Sequence, residues 1–274
     1  MIATIKIASP LFIVREEAQK DFFGVLEKLA AIGYDGVELL GLYGHEPAAI
    51  RAKLDALGMV AMGAHVSITE LEEQPEKTLD AYKTLGCQYI TLTLGGIAAT
   101  PNTPEFAQAA ARMQALCRLC YDNGFTPLYH NHAGEFATSP DLLSAYMDAC
   151  AAERLCQEPD LGWMLYAGAD VADYLIKYKD RTPVIHLKDI YAADFSKIGP
   201  SVDHKGIKNS PETGFFEFRP TGYGLLNLPK LMPLCLACNP AWFVPDHDLA
   251  YERDSFEDLR LSYEYVKGLL QMMC

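Results

Sequence analysis

Positive charge is scarce in this chain of 274 residues: 23 lysines and arginines stand against 36 aspartates and glutamates, a net charge of −13. A phosphate backbone needs a basic face, so nucleic acid is not an expected partner. Apolar runs are all too short to span a bilayer, and no membrane anchor is expected. The N-terminal stretch MIATIKIASPLFIVREEAQK lacks the basic start and small-residue cleavage pattern of an export signal, so a cytoplasmic protein is expected. The glycine fingerprint of dinucleotide-binding folds is missing after the first strand-like segment, and no GxxxxGK[ST] loop occurs. No linker or shift in composition divides the chain, so residues 1–274 read as one domain.

Cysteine is well represented, with 8 residues. Cys117 and Cys120 form one CxxC, and Cys235 and Cys238 another. Both lie in helix-like stretches, where cysteine serves as a small buried apolar residue. A zinc site built from the two pairs is the competing reading, although structural zinc usually sits in tight loops.

What the chain does have is a repeated alternation. ATIKIAS, YDGVELLG, MVAMGAHVS, CQYITLTLG and FTPLYHNH read as strands, each separated by a segment with helical apolar spacing. RLCQEPD, TPVIHLKDI and AWFVPDHD continue the series, and SFEDLRLSYEYVKGLLQMM reads as the last helix. Glycines close many of the helices, where a left-handed residue ends a helix at little cost. About eight strand–helix units imply a parallel (β/α)8 barrel, with a doubly wound open sheet as the alternative.

In such a barrel the chemistry sits at the C-terminal ends of the strands. There the sequence places Glu38, His65, His130 and His132, followed by Glu135 in the next turn. Later strands end on Asp160, on His186 with Lys188 and Asp189 beyond it, and on Asp246, His247 and Asp248. Five of the 7 histidines therefore fall at one predicted rim. Imidazole and carboxylate donors suit a divalent metal such as manganese, cobalt, nickel, zinc or iron. Strand alternation points His130 and His132 to the same face. A metal at the rim would polarise a carbonyl and favour an enediolate, with a neighbouring carboxylate or neutral histidine moving the proton. Each residue also has a plainer reading: a hydrogen-bonded structural histidine, a turn or cap for Asp248, a surface ion pair for Lys188 and Asp189.

The segments AAIGYDGVELLGLYG, GAHVS, KTLGCQYITL, LYHNHAGEF, PDLGWMLYAGAD and VIHLKDI resemble the sugar phosphate isomerase/epimerase family of xylose-isomerase-like barrels, in its HNHxxEF branch. The resemblance covers nearly the whole chain and is specific for the superfamily, not for a substrate. It implies a divalent metal, manganese first, with cobalt, magnesium, zinc and iron as alternatives. It implies ligands from the fifth to eighth strands, which here match Asp160 and His186. Glu135 is the expected fifth-strand carboxylate, with His130 competing for that place. Asp246 stands where relatives carry glutamate, one methylene longer. His132 and His130, with Lys188 and Glu38, are the expected catalytic groups. His65, Trp163, Arg219 and Asp248 are the expected substrate contacts.

The irregular stretch after the seventh strand, with His204, Lys205 and the turn TGYG at 221–224, reads as a lid over the site or a plain surface excursion. The expected activity is metal-dependent isomerisation or epimerisation of a sugar or keto-sugar. An inosose-type dehydratase, or a lyase cleaving 3-keto-glycosides or C-glycosides, is the alternative, and a non-catalytic sugar-binding barrel a third. No Lys/Arg-rich phosphate loop stands out, which favours a non-phosphorylated carbohydrate. Whether the chain forms a homo-oligomer or needs a partner subunit is not legible.

Overall fold

The computed structural model describes residues 5–92, 99–200 and 216–273. Parallel strands β1 (Lys6–Pro10), β2 (Gly36–Leu39), β3 (Val60–Val66), β4 (Tyr89–Leu92), β5 (Thr126–His130), β6 (Cys156–Glu158) and β7 (Val184–His186) follow one another along the chain. A short antiparallel pair, β8 (Asp189–Ala192) and β9 (Phe216–Arg219), precedes the last barrel strand, β10 (Trp242–Val244). The barrel strands form an 8-stranded sheet in the order β6-β5-β4-β3-β2-β1-β10-β7. A single parallel bridge between Asp160 and His186 joins its two ends. The fold is an α/β TIM barrel, closed at a point made by two residues of the predicted rim.

Helices α1 (Arg15–Lys20), α2 (Phe22–Ile32), α3 (Pro47–Leu57), α4 (Ile68–Glu73), α5 (Pro75–Leu85) and α6 (Pro104–Asp122) cover the first half of the sheet. Helices α7 (Leu142–Ala149), α8 (Leu161–Ala167), α9 (Val171–Lys177), α10 (Leu228–Ala237) and α11 (Ser255–Met273) cover the second. The helical segment after β1 is divided into α1 and α2, because the Asp21 side chain caps α2 by accepting the Gly24 N–H at 3.0 Å. The VIHLKDI strand also splits. β7 ends at His186, where the Leu187 N–H turns to the Val244 carbonyl, and β8 begins at Asp189. Cys117 and Cys120 lie in α6 and Cys235 in α10, with Cys238 the residue that caps the end of α10, and all four are buried. No cysteine joins a group of gathered metal-ligating atoms among the described residues. No helix is long and apolar enough to cross a membrane among the described residues.

Alternation along the strands sets two layers inside the barrel. Met62, Leu128, Val184, Trp242 and Val244 form an apolar floor. Two residues further along each chain, Leu128 gives way to His130, Val184 to His186 and Val244 to Asp246. These polar residues are all buried. An apolar plug below and a titratable layer above is what a period of two produces when strands end in this composition.

Candidate functional site

The titratable layer floors a cavity of about 540 Å³ at the C-terminal ends of the strands. One wall is apolar, from Leu11, Phe12, Leu39, Leu40 and Val66. The opposite wall carries His130, His132, Glu135, His186, Lys188 and Asp246. His65, Glu38 and Asp248 also reach it. Glu158 and Asp160 lie behind this surface and are fully buried.

Two groups of potential metal-ligating atoms meet at His186. In one, His65, His130, Glu158 and His186 bring donor atoms within 4.8 Å of one another; in the other, Asp160, His186 and Asp246 do so. His186 Nε2 lies 3.0 Å from Glu38 Oε2 and 3.6 Å from Glu158 Oε1. Its Nδ1 lies 3.2 Å from Asp246 Oδ2. His130 is arranged in parallel, with Nδ1 3.6 Å from Glu158 Oε2 and Nε2 3.6 Å from Asp160 Oδ2. Burial, reinforced by His186 and His65, holds the His130 ring well below its ordinary pKa, and therefore neutral. Burial opposes charge on His65, yet Glu38 and Glu158 lift it to about 10.

Lys188 is the counter-ion of the carboxylate side. Its Nζ lies 2.9 Å from Asp160, 3.0 Å from Asp246 and 2.7 Å from Asp248. Burial opposes its charge, but these three carboxylates keep the ammonium well above the usual lysine pKa. The stem passes against α8 at Gly162, where an added Cβ would stand 2.7 Å from the Lys188 carbonyl oxygen and 2.9 Å from its Cβ. Only glycine admits that approach.

The segment HNHAGE is built as a clamp. His130 ends β5 facing inward, and Asn131 faces away. Asn131 donates to the Asp160 carbonyl at 3.2 Å and accepts the Asp160 N–H at 3.0 Å, tying β5 to the barrel closure. His132 caps the following 3₁₀ turn (Ala133–Ala137): its side chain accepts the Glu135 N–H, and Glu135 Oε2 accepts the His132 N–H at 3.0 Å. A ring nitrogen that accepts is unprotonated, so the neutral His132 ring carries its proton on the other nitrogen. Glu135 also accepts from the Tyr129 hydroxyl at 3.4 Å. Burial pushes its carboxyl up to about 7.

The rim expected from sequence is largely assembled, with differences. Glu135 is not in either gathered donor group among the described residues; its oxygens serve the clamp. His247 turns outward, its Nε2 3.3 Å from Asp258 of α11, because alternation sends Asp246 and Asp248 inward. Arg219 lies on β9 with Glu217, outside the cavity lining. Trp163 is buried beneath, its ring 5.2 Å from Lys188 Nζ. Lys188 and Asp189 are no surface pair: both are buried, and Asp189 accepts N–H groups of Gly222, Gly224 and Leu226 to fold the TGYG turn. His204 and Lys205 lie outside the described residues. Sequence reasoning passed over Glu158. Its signal was its spacing of two from Asp160, which puts both carboxylates on the inner face.

The family model of the xylose isomerase-like TIM barrel matches residues 26–242, and the chain belongs to that family. Among curated relatives, an inosose dehydratase of Geobacillus kaustophilus is 26% identical over 189 residues, 61% of this chain and 61% of that protein. The match thus spans about three fifths of that relative's length. A sugar phosphate isomerase/epimerase from Parabacteroides distasonis has a similar structure, with TM-score 0.75 and 16% identity, covering 97% of this chain and 94% of that one. A probable 3-DHS dehydratase from Bacillus anthracis superposes with TM-score 0.74 and 13% identity, covering 96% and 99%.

Proposed function

We propose that this protein is an enzyme that removes the proton beside the carbonyl of a keto-sugar or keto-polyol, and that it completes the reaction by eliminating water. The carrying observation is the pairing of a proton carrier, Glu135, with a hydrogen-bond donor, His132, on a cavity wall that also reaches a gathered histidine–carboxylate group.

The residues fit a divalent metal. Glu158 Oε1 and Oε2, His65 Nε2, His130 Nδ1 and His186 Nε2 are buried and make no hydrogen bond, yet converge. A cation among them supplies Lewis acidity towards a carbonyl or a pair of neighbouring oxygens. The protein's own groups do the rest. The buried carboxylate of Glu135, with a pKa of about 7, takes the proton from the carbon next to the carbonyl. The electron pair left on carbon forms the new double bond, and the carbon–oxygen bond at the next carbon breaks. Glu135, now carrying that proton, returns it to the departing hydroxyl, to which the outer N–H of His132 donates a hydrogen bond, so the product is the substrate less one water. The apolar wall of Leu11, Phe12, Leu39 and Val66 excludes water from the ring face of the sugar.

The sequence alone put isomerisation or epimerisation first. Elimination moves ahead because the curated relative is named a dehydratase and because a buried carboxyl with a pKa of about 7 and a histidine N–H donor face one cavity. Incubation with inososes, ketohexoses and 3-keto-glycosides, followed by mass spectrometry, tests this. A product lighter by one water supports elimination. An isobaric isomer would move the protein to the isomerase reading, and a shortened glycoside to aglycone release.

A further inference from the structure

We infer that the metal is held by His65, His130, Glu158 and His186, and that Asp160, Asp246 and Asp248 form a supporting ring locked by Lys188. This rests on the metal-dependent reading above and departs from the carboxylate-rich ligand set that the family resemblance led us to expect.

The two groups differ in which atoms already have partners. Each aspartate of the ring is bound to the Lys188 ammonium, at 2.7–3.0 Å. Asp160 Oδ1 also accepts the Trp163 N–H at 2.9 Å. A divalent cation entering there would have to displace a buried ammonium that fills the space between the carboxylates. No lysine or arginine is paired with the other group among the described residues. His65 Nε2, His130 Nδ1, His186 Nε2 and both oxygens of Glu158 are desolvated without a hydrogen bond. Buried polar atoms left in that state are costly unless something binds them.

The separations agree. A four-coordinate ion with bonds of about 2.0–2.1 Å holds its donors roughly 3.3 Å apart. Glu158 Oε2 lies 3.4 Å from His65 Nε2 and 3.6 Å from His130 Nδ1, its Oε1 lies 3.6 Å from His186 Nε2, and one donor atom from each of the four residues lies within 4.8 Å of the others. Glu38, 3.2 Å from His65 and 3.0 Å from His186, stands at the edge of the group as a fifth donor.

The second nitrogens complete the case. A ligating histidine almost always donates its other N–H to a carboxylate, which fixes the ring. His186 turns Nε2 to the histidine–glutamate group and Nδ1 to Asp246 at 3.2 Å. His130 turns Nδ1 to the same group and Nε2 towards Asp160 at 3.6 Å. Two rings from two strands share one direction: metal side inward, aspartate side outward. Lys188 holds both aspartates where those rings need them. A donor set of imidazoles with one carboxylate suits zinc, iron, cobalt or nickel better than magnesium.

The test is an anomalous difference map of the unmutated protein, stripped with chelator and reloaded with cobalt, joined to metal analysis of variants. The inference expects one peak among His65, His130, Glu158 and His186, with Lys188 still on its aspartates. It expects His65→Ala and Glu158→Gln to lose stoichiometric cobalt on dialysis while Asp248→Asn keeps it. A peak among Asp160, His186 and Asp246 with Lys188 displaced would overturn it and leave the proposed function standing, as would full cobalt retention in both His65→Ala and Glu158→Gln. Failure to take up any divalent metal would overturn both.

Discussion

Glu135 behaves unlike a surface carboxylate. Its proton leaves near pH 7 in the folded chain, against an ordinary value of 4.5, because burial penalises the charge. Between these values the unfolded chain binds fewer protons than the folded one. The metal-free protein should therefore lose stability as pH rises from about 4.5 to 7 and change little from this group above that. Glu135→Gln should remove that slope in thermal melts; an unchanged slope contradicts the assignment. As the base, Glu135 works when deprotonated, so kcat/KM should climb through about pH 7 and the glutamine variant should have lost ~100-fold or more in kcat. Lys188 makes the opposite kind of prediction. Lys188→Met leaves three buried or half-buried aspartates without their cation and should cost about 3–5 kcal/mol in denaturant unfolding. A loss under about 1 kcal/mol, the range of an exposed ion pair, would show that the ring is solvated instead. Gly162→Ala should disturb the same ring from the α8 side, since its Cβ has no room beside Lys188.

At the scale of elements, strand endings carried the legible information. Period-two alternation was enough to put His130, His186 and Asp246 on one inner layer, since β5 and β7 end in that layer and Asp246 lies two residues past the end of β10. It could also have found Glu158, which was read only as part of a lead-in to Asp160. What the sequence hid was pairing. Nothing in VIHLKDI says that the strand breaks after His186, because the break reflects a change of partner, from β10 for β7 to β9 for β8, both distant in sequence. The direction of Lys188 was hidden for the same reason: its partners lie on two distant segments, one with Asp160 and one with Asp246 and Asp248. The HNH clamp was half legible. Alternation separates Asn131 from the histidines, but its reciprocal bonds to Asp160 depend on β5 lying beside β6. Asn131→Ala should leave the Asp160 N–H buried without its acceptor and cost about 1–3 kcal/mol of stability. It should also loosen the Asp160–His186 bridge that closes the barrel, read as faster amide exchange at His186.

The whole molecule is acidic, and its site gathers more carboxylates than cations. The net charge of −13 is consistent with a neutral or weakly charged carbohydrate substrate. The barrel brings together residues from β2, β3, β5, β6, β7 and β10, so no short motif could have defined the centre, and family membership defines the scaffold more firmly than the reaction. The central claim is that this scaffold abstracts a proton from a carbon beside a carbonyl. The most direct measurement is proton NMR of keto-polyols and keto-sugars incubated in deuterium oxide with the metal-loaded protein. The account predicts loss of the proton signal at the carbon next to the carbonyl, by exchange in recovered substrate or by its consumption, and retention of that signal with Glu135→Gln. Saturable binding of the same compounds with no loss of that signal at all would contradict it, and would make the barrel a binding protein.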